Sequence, residues 1–527
     1  MPVDRFFKAW LWLGCFCLLP LGAAQAQMNA IDPEILKELK LVQRDGQDLL
    51  QISLKAVLKI AQDRAPQLAV IANQLEAARR NQEANQGVEP VLWTSSAQQN
   101  RSVSPSSFLL TGATGASDYL SLTGSNQQVL STGLSHKTKW GLKYGLTYQR
   151  ASSLTQFSSI AAAGDAAGDW SDYDQTIYSD ALVAEATLPL LKGFGEVNRD
   201  GERRAEANYR ATSLQGDLST RDLLGQIASI YWDLVGVHES IKALKHSLEL
   251  ARQFHQDNLV RFRLGAIDAT EVKLSETQRA LAERNLLSAQ IDRQQIEDQI
   301  RIILGLKDLD VAYEPTEVPQ LKPVPGNRKE LVEKALATDP SVKLYKEQIE
   351  LNRLDEIQAK DRLSSSLDFG LKYQLNGFGK DTSTATSSLG DAGLVGYSVG
   401  LTWSVPLFDR RPNEKLAQVR LERDSLETQY IDAKDQLQAN LGAVLRRLEL
   451  GRQSIELAQV GAELNQELYQ KERARFRLGN TTSYRVDQVR QDMLDSEISL
   501  AQAKIAYEKT YLQLMLLTDQ FEAHYEL

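Results

Sequence analysis

The sequence predicts an internally duplicated α+β membrane protein, in which long α-helices alternate with short transmembrane β-hairpins. Three observations carry that expectation. Proline is absent from 190–314 and again from 413–527, and proline costs about 3 kcal/mol inside a helix. Between helical stretches, apolar and small or polar residues alternate over strand lengths. The pentapeptide Arg261-Phe262-Arg263-Leu264-Gly265 recurs as Arg475-Phe476-Arg477-Leu478-Gly479.

Composition narrows the class before any element is placed. The 527 residues are 42% apolar and 24% charged, so the chain can bury a core. A mean hydropathy of -0.34 excludes a bundle of membrane helices. A formal charge of -9 argues against nucleic acid, whose phosphates call for Lys and Arg.

At the N-terminus, Arg5 and Lys8 precede the apolar run 9–23, followed by Ala24-Gln25-Ala26. Residues 1–26 read as a cleaved secretory signal, too short to remain comfortably as a spanning helix. Both cysteines, Cys15 and Cys17, lie inside it. Lipidation at Cys15 would set Trp12 where a smaller aliphatic residue is wanted. Cut after residue 26, the exported chain would lack disulfides, thiolate metal sites and cysteine nucleophiles.

Two repeats follow, 27–306 and 328–527, separated by a linker at 307–327 that holds Pro315, Pro319, Pro323 and Pro325. Each opens with a helix: the run Ala61 to Leu68 matches Ala335 to Val342. Each continues into a β-hairpin, about 90–190 in the first repeat and about 364–407 in the second. Each ends in a long helix pair, about 199–306 and about 413–520. Leu188-Pro189-Leu190 matches Val405-Pro406-Leu407 between them, so three landmarks keep one order. In the helix pairs Leu224, Ile227, Tyr231, Leu234, His238 and Ile241 step by threes and fours, as do Leu441, Val444 and Leu448. A period near 3.5 forms a narrow seam and a left-handed supercoil.

The strand signals are Leu367 to Leu375, Val395 to Val405, Trp140 to Tyr148 and, more weakly, Leu182 to Leu188. Alternation over about 9–11 residues is what a tilted outer-membrane strand needs. Residues 104–128 exceed what one crossing requires and are expected to form a loop or insertion. One hairpin per repeat gives four strands per chain. Closed bacterial barrels have at least about eight, and an open edge cannot face lipid, so several chains must share one barrel.

These landmarks together resemble the TolC-like outer-membrane efflux protein family over the whole exported chain. Leu54 to Leu68 looks like the family's opening helix. Leu188-Pro189-Leu190 and Val405-Pro406-Leu407-Phe408 look like its strand-to-helix corner, and Phe262-x-x-Gly265 and Phe476-x-x-Gly479 like its helix-hairpin tips. The resemblance implies a homotrimer sharing a 12-stranded β-barrel in outer-membrane lipid, continuous with a long periplasmic α-helical barrel. It implies a non-enzymatic exit duct docked on a periplasmic adaptor (membrane fusion) protein and an inner-membrane RND or ABC pump. It places adaptor docking at the tips, Arg263, Leu264, Gly265, Arg477, Leu478 and Gly479. The periplasmic entrance would involve Asp268, Glu271, Arg485 and Asp487, with Asp492 farther along. Arg485 stands near a position where an acid is common, so an acidic ring is not carried over.

Without the resemblance, the tips are also ordinary helix C-caps with a basic last turn, and the entrance charges an ordinary solvated helix face. Type I protein secretion would use the same channel, and the helices alone would suit a periplasmic coiled-coil scaffold or adaptor. No cofactor or metal site is expected. Gly193-x-Gly195-x-x-Asn198 lacks the third glycine of a dinucleotide fingerprint. His136, His238, His246, His255 and His524 show no metal-ligand spacing, and no nucleophile elbow or Walker loop occurs.

Overall fold

The computed structural model describes residues 40–44, 47–87, 89–103, 106–111, 117–161, 170–305, 312–323, 327–391 and 393–525. The signal expected over residues 1–26, with Cys15, lies outside them. The chain is mixed helix and sheet and forms two compact units. One comprises 1–76, 212–345 and 429–527, the other 77–211 and 346–428. Each unit therefore draws on both halves of the sequence.

In the first unit, β1 (Lys40–Arg44) pairs antiparallel with β2 (Gln47–Ile52), which pairs in parallel with β8 (Ala312–Pro315). Helix α1 (Leu54–Arg64) starts at Ser53, whose hydroxyl accepts from the Ala56 amide at 3.1 Å. It breaks at Ala65, because the residue before Pro66 is pushed out of helical geometry. Helix α5 (Arg328–Thr338), also 11 residues, breaks in the same way at Asp339 before Pro340. The long helices are α3 (Asp200–Arg263) with α4 (Ala269–Ile303), and α8 (Arg411–Arg477) with α9 (Ser483–Leu517); α4 and α9 are each 35 residues long. A short α10 (Phe521–Tyr525) follows. The predicted seam is the core: Leu224, Ile227, Tyr231 and Leu234 are buried against Leu441, Val444, Leu448 and Leu514. The proline-rich segment is tied to this core. Glu317 accepts from the Leu54 amide at 2.6 Å, Gln320 N–H donates to Glu508 at 2.8 Å, and Tyr507 donates to the Lys322 carbonyl at 2.6 Å.

The second unit holds α2 (Pro66–Gln86) from residue 77 onward and α6 (Pro340–Leu363) from residue 346 onward, with a large antiparallel sheet. Its strands are β3 (Leu92–Ser102), β4 (Ser106–Thr111), β5 (Ser117–Lys137), β6 (Lys143–Ala161), β7 (Trp170–Pro189), β9 (Ser366–Gly379) and β10 (Val395–Ser404). They lie in the order β10-β9-β7-β6-β5-β3, with β4 also on β5. Helix α7 (Thr382–Ser387) sits in the β9–β10 connection.

The sheet corrects two expectations. Among the described residues it has six strands side by side, not four, because the first half supplies two hairpins. The stretch 104–128 is not a loop: its described part is β4 and the start of β5. Both misreadings share one cause. β5 carries Ser, Thr, Gly and Gln on both faces, so its alternation is faint and its strand state is set by pairing with β3 and β6. Trp140, expected to begin a strand, instead lies in the turn before β6.

Candidate conduit and docking site

The register defines two faces. One row reads Trp93, Leu134, Leu146, Ala184, Tyr373 and Tyr397 across all six strands. Its large side chains are exposed, Trp93 by 75% and Tyr397 by 80%. The next row reads Thr94, Gly133, Thr147, Val183, Gln374 and Gly396. An exposed apolar face backed by a small, polar one is an arrangement for lipid outside and water inside. Farther along the apolar face Asp180 is buried. It accepts from Arg150 at 2.7 Å, from Tyr148 at 3.0 Å and from Thr386 at 2.8 Å, which fixes α7 to the sheet. Sequence reading missed this network, since its members lie up to 236 positions apart.

Both helix-hairpin tips are built by the same local chemistry. At the first, the Gly265 amide donates to the Phe262 carbonyl and the Ala266 amide to the Arg261 carbonyl, both at 2.9 Å. At the second, Gly479 donates to Phe476 and Asn480 to Arg475, both at 3.0 Å. This paired closure needs a left-handed residue, and the φ values are 73° and 77°. The next helices are capped by Asp268, which accepts from the Thr270 and Glu271 amides at 2.6 and 3.2 Å, and by Thr482, which accepts from Arg485 at 3.3 Å. Those backbone amides hold the Asp268 carboxyl below the usual aspartate range. Leu264 and Leu478, at equivalent places, are 78% and 76% exposed. Arg263 and Arg477 are also exposed.

The entrance candidates have different partners. Glu271 accepts from Ser483. Asp487 accepts from Arg490 at 2.6 Å, and the buried Arg490 also donates to Ser247. Arg485 is exposed and donates to Gln488 at 2.9 Å, and Asp492 is exposed. Behind the tips, Phe254, Tyr469, Phe476, Val486, Val489 and Met493 form a separate small core. Gly193 and Gly195, the would-be dinucleotide glycines, have φ of 78° and 74° and make the corner after β7.

No protein-family model matches the sequence. Solved structures do. The CmeC outer-membrane channel of Campylobacter jejuni aligns with a TM-score of 0.62 over 89% of this chain and 86% of its own, at 14% identity. The VceC outer-membrane protein of Vibrio cholerae aligns with a TM-score of 0.61 over 89% and 96%, at 12% identity. The fold is that of the TolC-like outer-membrane channels. The open state of the Neisseria gonorrhoeae MtrE outer-membrane channel shares the TolC-like fold too, with a TM-score of 0.59 over 89% of both chains, at 11% identity. In sequence, a curated relative, toxin and drug export protein A of Aggregatibacter actinomycetemcomitans, is 24% identical over 204 residues. The match takes in 38% of this chain and 44% of that protein. Among the described residues no helix is long and apolar enough to cross a membrane.

Proposed function

We propose that this protein is the outer-membrane exit duct of a tripartite efflux system, conducting small toxic compounds from an inner-membrane pump across the periplasm and the outer membrane. The observation that carries the reading is the apolar row from Trp93 to Tyr397, on a sheet whose end strands β3 and β10 each pair on one side only among the described residues. Such edges cannot stand in lipid, so a second copy must pair with each, and a homotrimer closes the ring. The duplicated order of landmarks and the export of the curated relative's cargo, in the words of its name, agree with this role. A duct needs no bond chemistry.

In this reading the sheet unit lies in the outer membrane and the helical unit in the periplasm. The tips Arg263-Leu264-Gly265 and Arg477-Leu478-Gly479 receive the adaptor, their two exposed leucines offering matched apolar contacts. Asp268, Glu271, Arg485 and Asp487 belong to the entrance. Because Asp487 is already paired with Arg490, its outward charge comes mainly from Arg485 and Asp268.

The test is fractionation and conductance. A heat-modifiable trimer in outer-membrane fractions that conducts in planar bilayers is the expected result; a stable, soluble periplasmic monomer overturns the reading. Docking is tested separately by Leu264→Asp with Leu478→Asp. Such exposed changes cost little stability, so trimers should assemble while drug resistance and adaptor binding are lost. Full resistance would count against docking there.

A further inference from the structure

The first half of this chain places two strands in the sheet that its duplicated plan does not require. β5 and β6 lie between β3 and β7, so among the described residues β3 joins the sheet only through them. They are paired along their lengths, β5 with β6 from Lys137↔Lys143 to Asp118↔Ala161, and β6 with β7 from Lys143↔Thr187 to Ile160↔Trp170. They also share the exposed apolar band, since Leu134 and Leu146 stand level with Tyr373 and Tyr397. Their turn is seated on the corner after β7: the Gly195 amide donates to the Trp140 carbonyl at 3.3 Å. A Cβ at Gly141 would meet Asn198 Nδ2 at 2.7 Å and the Gly193 carbonyl at 2.8 Å.

We propose that β5–β6 is an inserted, membrane-embedded hairpin, so that each copy gives six strands and three copies close an 18-stranded barrel rather than a 12-stranded one. The proposal rests on the trimeric membrane reading above. Barrel diameter grows roughly linearly with strand number, so the outer-membrane section is about half again as wide. The residues that the added pair turns away from the apolar face include Ser131, Gly133, Ser135, Gly145, Thr147 and Gln149. They are small or uncharged and do not refill the added width. The duct's outer end thus admits bulkier cargo than a 12-stranded barrel would, and the limit on size falls to the helical unit.

Single-cysteine variants of the full chain, probed in cells with a membrane-impermeant maleimide, test the insertion. Thr147→Cys should label and Leu146→Cys should be protected, matching Ser398→Cys and Tyr397→Cys on β10. Equal labelling of the β6 pair beside alternation in the β10 pair overturns the inserted hairpin alone. Loss of alternation in both overturns the membrane reading with it. For the unaltered protein, electron microscopy of the detergent-purified trimer should count 18 strands in cross-section; a count of 12 overturns the proposal.

Discussion

Arg261 holds the end of the opposite helix hairpin through Phe476: its guanidinium donates to the Phe476 carbonyl at 2.9 Å and lies 4.6 Å from the centre of that ring. A further bond reaches the Arg477 carbonyl at 3.1 Å. One arginine from the first repeat thus bonds two terminal carbonyls of α8, as a second donor beside the Gly479 amide at Phe476 and as a donor to Arg477. Its counterpart Arg475 is turned toward Glu472 at 3.3 Å.

Arg261→Ala should therefore loosen the second tip. Bonds to a charged donor are each worth about 1.5–3 kcal/mol when buried and less at partial exposure, so a loss of about 1–2 kcal/mol is expected. Hydrogen exchange of the Leu478, Gly479 and Asn480 amides should accelerate in this variant and change far less in Arg475→Ala. Equal acceleration in both would refute the asymmetric role.

Asp339 pairs with Arg221 at 2.9 Å and also accepts from the Ser341 amide at 2.9 Å. Burial alone would raise its carboxyl, but Ser341 and Arg221 outweigh burial and hold it below the usual aspartate range. A depressed folded value stabilises the fold above the unfolded aspartate value of about 3.9, and that contribution is lost as pH falls through the folded one. Asp339→Ala leaves Arg221 without this partner and should cost about 3 kcal/mol at neutral pH. In thermal melts the difference from wild type should shrink under strongly acidic conditions, and a pH-independent difference would contradict it.

Glu508 has the opposite sign. Burial is the largest influence and raises its carboxyl, against the Gln320 amide and Lys322, which act to lower it. A raised folded value means the fold loses stability as pH rises above the unfolded glutamate value of about 4.3. Glu508→Gln keeps an acceptor for Gln320 and removes the buried charge. Its melting temperature should exceed wild type at pH 7 and converge with it under acid; a lower value at pH 7 would refute this.

Gly141 has φ of 105° and no room for a side chain beside Asn198 and Gly193. Gly141→Ala should lower the temperature at which the oligomer dissociates on semi-native gels, with a cost above about 1 kcal/mol. Gly393→Ala, where nothing lies within 4 Å of the added carbon, should be neutral. Matching behaviour of the two variants would show that the turn is not seated as described.

Much of the helical architecture was legible because it is local. Proline-free tracts and a seam near 3.5 residues located α3, α4, α8 and α9, and strong alternation located β9 and β10. The Asp180–Arg150–Thr386 network and the strand state of β5 were not legible. Both depend on segments that meet only when distant strands pair, and polar strands carry little pattern of their own.

The two copies of Arg-Phe-Arg-Leu-Gly show where that boundary falls. By itself the pentapeptide determined the turn, because the closing bonds span only a few residues and glycine alone adopts their positive φ freely. Tertiary structure decided that Phe476 is 6% exposed while Phe262 is 44% exposed, and that Arg261 rather than Arg475 reaches across. Burial depends on which helix lies alongside, and nothing within five residues encodes a neighbour more than two hundred positions away.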